Sequence, residues 1–389
     1  MDILKKEKRA ILGLSLGHFS IDLYAALLVP LYPVITTKLG INLASISAII
    51  ALGHLVSSMM QPLFGFISDK LKHRTFMVWG LIFSSIFIPL APKAPSVALF
   101  LACLLLGMIG NAFFHPQVSA LVKDFSQNNP NLSRDMGIFL GLGTIGYAIG
   151  PYISTSIFNK FGENAFLNLS LLGIFTAIFI YFFVPKKPKK DIVNKGNFFK
   201  IMFEILKNKT CMFLTFISTV KSAVSISFGT YIPFLLQKQG FSLTEIGIIV
   251  TLFFISGGAA TIFSSKIENK IGARGVIILS FITILPLVLG FLYSLNINKY
   301  LACALFILTG FFILLSVGVI LVQAQNAIPT HTGVVSGVMQ GFSWGLGALF
   351  LAPLGVIGQN YGIDRILILM ATIAFIVGLI SIKTKKLFN

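Results

Sequence analysis

Charge is scarce in this chain. Asp, Glu, Lys and Arg make up 11% of its 389 residues, less than half the share of about 25% usual in soluble domains. A chain that is 56% hydrophobic with so little charge cannot cover itself with a hydrated surface, which excludes an ordinary soluble fold. Acid is scarcer still, with 12 Asp and Glu against 30 Lys and Arg. Only three cysteines occur, Cys103, Cys211 and Cys303. All fall in apolar runs without paired spacing, so neither a disulfide framework nor a cysteine metal site is implied. No glycine-rich phosphate loop is present, which excludes a nucleotide-driven pump within this chain. No pair of catalytic carboxylates or metal cluster can be found either, so the expectation is a protein that is not an enzyme and takes no cofactor and no metal.

What the chain does have is long apolar runs. They define expected spans at 10–37, 42–67, 75–92, 96–122, 135–158 and 164–184, then at 210–237, 243–265, 275–294, 299–323, 332–358 and 363–382. Each is long enough to cross a bilayer as a helix. The first run follows a basic N-terminus, as in a signal peptide. It is too long for one, contains Asp22 and lacks a small-residue cleavage site, so it reads as a retained span. The expected fold is an all-α integral membrane protein of twelve helices in two six-helix bundles, 1–184 and 210–389. A polar linker, 185–209, joins them. The linker opens with Lys186-Lys187-Pro188-Lys189-Lys190, and its second part carries Lys200 and Glu204 four apart among phenylalanines, the pattern of a helix lying on the headgroup layer.

The basic residues set the orientation. With the N-terminus inside, the two tails, the linker and the even-numbered loops hold most of the 30 lysines and arginines, so both termini are expected in the cytoplasm. Positive charge spread over inner loops also excludes nucleic acid as a partner.

The halves repeat. Gly65, Asp69, Lys70 and Arg74 after the second span are matched, 200 residues later, by Ser265, Asn269, Lys270 and Arg274 after the eighth. In the fifth span Gly143 precedes Pro151 by eight residues, and in the eleventh Gly345 precedes Pro353 by eight. Matched elements in register mean internal duplication with parallel topology, the plan of a protein whose halves rock about a site near the midplane.

Ionisable residues inside spans are the candidates for function, because their burial is costly. Asp22 is the one acid deep in a span and Lys221 the one base, each about 17 Å from the cytoplasmic start of its helix. Equal depth makes them a candidate charge pair, either a static bridge or a coupling element. His18 shares the helix face of Asp22, four residues before it, and His115 precedes Pro116 on the fourth span, so both are candidates to carry a proton. Tyr24, His54, Gln61, Gln117, Tyr231 and Gln323 are candidates for the substrate cavity; packing and loop-edge solvation are the plain alternatives for His54 and Gln323. Gly65, Asp69, Lys70, Arg74, Asn269 and Arg274 are candidates for a latch that holds a loop to a neighbouring helix end. Solvated loop residues are the alternative. Gly137, Gly141, Gly143, Gly146 and Gly150 suit close helix approach; Gly146, Gly150, Pro151, Gly345 and Pro353 are the candidate pivots.

The tract from Gly65 through Asp69-Lys70 to Arg74 resembles the loop signature of the major facilitator superfamily, with Lys72 where that signature usually has glycine. Gly146-x-x-x-Gly150-Pro151 resembles the motif of drug/proton antiporters. Gly17-His18-Phe19-Ser20-Ile21-Asp22-Leu23-Tyr24, Gln61-Pro62-Leu63-Phe64-Gly65, Phe114-His115-Pro116 and Val335-Ser336-Gly337 together resemble the fosmidomycin-resistance branch. The chain departs from that branch at Gln117 and Asn326, where the branch carries glutamates, and at Ala120, where it carries arginine. The resemblance implies a twelve-helix facilitator fold in a bacterial cytoplasmic membrane, acting as a monomer and exporting a small molecule or drug in exchange for protons. An uptake symporter or uniporter for a small polar metabolite is the alternative within transport, and a membrane sensor or channel the alternative outside it.

Overall fold

A computed structural model describes residues 2–71, 75–126, 132–185 and 198–384. Among these residues the regular structure is helical throughout, as the apolar runs require, since a helix satisfies its backbone polar groups within itself where water is absent. The first half holds α1 (Asp2–Leu27), α2 (Tyr32–Leu39), α3 (Leu43–Leu71), α4 (Thr75–Leu90), α5 (Val97–Ser126), α6 (Leu132–Phe166) and α7 (Ser170–Phe183). The linker helix is α8 (Phe198–Lys207). The second half holds α9 (Lys209–Lys238), α10 (Leu243–Ile282), α11 (Ile284–Ser294), α12 (Lys299–Leu315), α13 (Val317–Ala327), α14 (Thr332–Gly337), α15 (Ser343–Ala348), α16 (Leu351–Tyr361) and α17 (Ile363–Ile382).

Among the described residues, ten continuous helical stretches are long and apolar enough to span a membrane, two fewer than the twelve expected crossings. The difference lies in Ile138–Phe183 and Leu243–Ser294, which are 46 and 52 residues long. At 1.5 Å per residue these reach about 69 and 78 Å, more than twice the hydrocarbon core. Each is broken by a glycine of positive φ, Gly162 at 76° and Gly272 at 74°. A helix cannot continue through that conformation, so each stretch makes two crossings and the described residues make twelve in all.

The chain divides into two compact units, Met1–Gly40 with Val56–Lys190 and Ser242–Thr251, and Ile41–Leu55 with Asp191–Phe241 and Leu252–Asn389. The first part of α3 groups with the second unit and the first part of α10 with the first. Within the first unit α1 packs along α6 and α7, and α4 along α5, around Ile21, Met77, Leu81, Phe114, Phe139 and Ile180. The approach of α1 to α6 depends on glycine. A Cβ at Gly146 would run into the carbonyl group of Phe19, and one at Gly150 would lie 2.9 Å from the carbonyl oxygen of Leu23. Gly141, on another face, has nothing within 4 Å of such a Cβ, so its expected role in close approach is not the one it plays. Large apolar side chains on the outside, Phe175 and Phe182 of α7 and Ile262 of α10, make a lipid-facing exterior.

In the second unit, helix formation along the eleventh span is interrupted. A π-helical turn at Val338–Phe342 lies between α14 and α15, and α16 follows with Pro353 inside it. In α8, Ile205 is buried while Phe199 and Phe203 are exposed. Arg274 Nη1 donates to the Ile382 carbonyl at 3.2 Å, a cation on the orphan carbonyls at the end of α17. Asn269 is exposed. The side chains of Gly65, Asp69 and Lys70, and the whole of Arg74, lie outside the described residues, as do linker residues 186–197.

Candidate functional site

The sequence places His18 and Asp22 one helical turn apart on α1, and the fold of the first unit brings His115 of α5 to the same carboxylate. His18 Nε2 lies 3.2 Å from Asp22 Oδ2, and His115 Nε2 lies 3.3 Å from Asp22 Oδ1. The other ring nitrogen of His18, Nδ1, is 2.8 Å from the Phe139 carbonyl oxygen on α6. The imidazole stacks on the Phe139 ring at 4.1 Å and meets His115 edge-on at 5.3 Å. Gly143, one turn beyond Phe139, makes room for it: a Cβ there would lie 2.6 Å from both ring nitrogens.

A proton inventory follows from these contacts. A carbonyl oxygen only accepts, so His18 Nδ1 must carry hydrogen and donate to Phe139. In a neutral imidazole the opposite nitrogen is then a bare lone pair, and it faces a carboxylate oxygen, which when ionised is also only an acceptor. Two acceptors 3.2 Å apart need a positive centre between them, which a proton supplies whether it rests on Nε2 or on the carboxyl. His115 can satisfy the second carboxylate oxygen from a neutral ring by donating Nε2–H. The three donor atoms lie within 4.8 Å of one another, close enough to share a cation, of which the proton is the smallest. Asp22 and His115 keep side-chain exposures of 18% and 23%, against 8% for His18. The carboxylate and His115 therefore form the accessible end of the cluster, and His18, held by Phe139, its anchored end.

The carboxylate expected to lean on Lys221 thus has two partners within its own unit. Three candidates for the substrate cavity have hydrogen-bond partners within the protein. Tyr24 is 1% exposed; its hydroxyl donates to the Leu169 carbonyl and accepts from the Gly173 N–H, both at 2.7 Å. These two groups are four residues apart, so the phenol ties together the first turn of α7, where the short 3-10 turn Leu167–Leu169 passes into that helix. Gln117 Oε1 accepts from Met77 N–H at 2.8 Å, capping an orphan donor in the first turn of α4. Tyr231, fully buried, donates to the Leu351 carbonyl at 2.7 Å and lies 3.0 Å from Ser47 Oγ. Large polar side chains in an apolar interior must find such partners, and the partners are distant in sequence. His54, Gln61 and Gln323 remain half-buried; His54 meets Trp344 edge-on at 6.3 Å. The role of Phe139 was missed from sequence, as was the buried pair in which Ser57 Oγ donates to Asn111 Oδ1 at 2.8 Å. An asparagine and a serine deep in apolar runs were the available signal for that pair.

Tyr24→Phe is expected to cost only about 0.5–1.5 kcal/mol, because the Leu169 carbonyl and the Gly173 amide can bond each other once the hydroxyl is gone. Thermal unfolding in detergent checks this; a collapse of folded protein would give Tyr24 a larger role.

The model of the Major Facilitator Superfamily matches residues 14–352. The Escherichia coli (strain K12) fosmidomycin resistance protein is 27% identical over 368 residues, covering 92% of this chain and 88% of its own. A probable nitrate transporter, NarT of Staphylococcus epidermidis, is 24% identical over 65% of this chain and 64% of its own. The crystal structure of the nucleoside transporter NupG shares the fold, with a TM-score of 0.76 over 96% of this chain and 98% of that one, at 14% identity. With twelve apolar crossings and a family match over most of its length, the chain belongs to the Major Facilitator Superfamily and is a multi-pass membrane transporter, not an enzyme.

Proposed function

We propose that this transporter exports a small molecule or drug in exchange for protons, acting as a monomer in a bacterial cytoplasmic membrane, with Asp22, His18 and His115 as the proton site. The observation that carries the reading is the proton required between His18 Nε2 and Asp22 Oδ2 at 3.2 Å, beside a partly exposed His115. Protons enter and leave through Asp22 and His115. His18 cannot release its Nδ1 hydrogen without abandoning Phe139, so only its Nε2 side takes part. Loading and unloading changes the charge of the cluster, and with it the cost of exposing that cluster to either side of the membrane. His54, Gln61 and Gln323 are proposed to line the substrate path, Asp69, Lys70, Arg74, Asn269 and Arg274 to act as latches, and the Pro151 and Pro353 regions as pivots. Export is favoured over uptake by the similarity to a fosmidomycin resistance protein over most of both chains, and fosmidomycin is the first substrate to try. In everted vesicles with an acidic lumen the chain should accumulate it, and an ionophore that collapses the pH difference should abolish accumulation. Accumulation indifferent to that collapse would remove the proton from the mechanism.

The proposed topology has its own check. Cysteine placed at Lys207 should react with a membrane-impermeant maleimide only from the cytoplasmic side, and cysteine placed at Lys299 only from outside. The reverse pattern would invert the orientation.

A further inference from the structure

We propose that Lys221 is an anion-binding residue and that the transported molecule carries a negative charge. This rests on the transporter reading but not on its proton coupling. Lys221 lies in the middle of α9, deep in the seventh span, and is 8% exposed. It has no ion pair or hydrogen bond with any described residue. The described acids of its own unit, Glu204, Glu268 and Asp364, sit in the linker helix or close to chain reversals, so none shares its depth. A cation buried in this way is destabilising unless a negative group meets it.

Its surroundings are polar in a manner that suits an anion. Ser218, Lys221, Ser222 and Ser225 recur at helical spacing along one face of α9. All four are buried. Ser218 Oγ is occupied, donating to the Met339 carbonyl at 2.7 Å in the π-helical turn. Ser222 Oγ, with Thr219 Oγ1 just before it, is buried without a hydrogen-bond partner. Such orphan hydroxyls are uncommon; Thr219 lies on the far side of α9 from Lys221, whereas Ser222 lies on the face that carries the unpaired ammonium. Gly347 of α15 brings the neighbouring helix against the backbone of Ser222 and Ala223, so the segment is held rigidly by the same irregular span that carries the π turn, a feature common at functional sites. One ammonium donor with adjacent hydroxyl donors recognises a carboxylate, a nitrate or a phosphate-type oxyanion. It offers nothing to a cation.

The test is ligand-dependent thermal unfolding of the purified full chain in detergent, without any gradient and at constant ionic strength. The probes are nitrate, inorganic phosphate and benzoate, with benzamide as the neutral match for benzoate. Wild type should be stabilised by at least one anion and not by benzamide. Lys221→Arg should keep that response; Lys221→Met and Lys221→Gln should weaken it by at least about tenfold in apparent affinity. Lys221→Met without ligand should melt above wild type, since it removes an unpaired buried charge, and saturating anion should close that gap. The inference is overturned if wild type and folded Lys221→Met or Lys221→Gln protein respond alike to every anion, or if benzamide stabilises as well as benzoate. A chain that binds anions through Lys221 but shows no proton-driven flux would leave this inference standing and remove the coupling reading alone.

Discussion

Asp22→Asn is expected to abolish accumulation driven by a pH gradient while leaving the protein folded and able to exchange substrate across the membrane. The amide reproduces the hydrogen bonds of the cluster: its oxygen accepts from His115 Nε2–H, and its nitrogen donates to the lone pair of a neutral His18 Nε2. What it lacks is a site that gains and loses a proton. Accumulation should therefore fall by more than about tenfold, to the level set by passive equilibration. Counterflow of labelled against unlabelled fosmidomycin should stay within about threefold of wild type, since less than 1 kcal/mol separates the two. A variant that accumulates substrate with unchanged pH dependence would show that Asp22 is not the coupling group and turn attention to His115. Loss of counterflow along with accumulation would place the carboxylate in substrate binding.

Gly146→Ala should be the most damaging single methyl in the first unit. The added carbon would meet the carbonyl group of Phe19, with the Phe19 carbonyl carbon 2.9 Å and Cα 3.0 Å away. That neighbour is backbone within α1 and cannot rotate aside. Separating α1 from α6 would also pull Phe139 away from His18, so both stability and coupling should suffer. A cost of at least about 2 kcal/mol is expected, at the upper end for overpacking. Gly141→Ala, five residues earlier on an open face, should instead be neutral or gain about 0.5–1 kcal/mol from helix propensity. Comparing the melting temperatures of the two variants decides the matter; equal melting points would mean that α1 and α6 do not pack as described.

The difference between these glycines marks the limit of what could be read in advance. Five glycines in the fifth span suggest close packing, but which of them touch a neighbour depends on the rotation of α6 about its own axis, and no local pattern encodes that. The crossings themselves were legible, because the bilayer imposes length and apolarity on each one separately. So was the pairing of His18 with Asp22, a local matter of helical spacing. The arrival of His115 and of the Phe139 carbonyl was not, since both come from helices about a hundred residues away. The hydrogen-bond partners of Tyr24, Gln117 and Tyr231 were hidden for the same reason. A polar side chain in a span signals a need for partners, and whether the partner is a substrate or a carbonyl from another helix is settled by tertiary packing. Equal depth suggested pairing Lys221 with Asp22, and depth alone says nothing of the two imidazoles that meet Asp22 within its own unit.

Proton exchange at the Asp22 cluster is the central claim, and the pH change inside proteoliposomes during substrate exit tests it most directly. Vesicles loaded with fosmidomycin and a trapped pH dye, with equal pH on both sides, are diluted into substrate-free buffer. Exchange predicts that the lumen acidifies as substrate leaves, and that Asp22→Asn releases substrate without any such change. An alkaline shift would make the chain a symporter, and substrate exit from wild-type vesicles with no pH change would contradict proton coupling altogether.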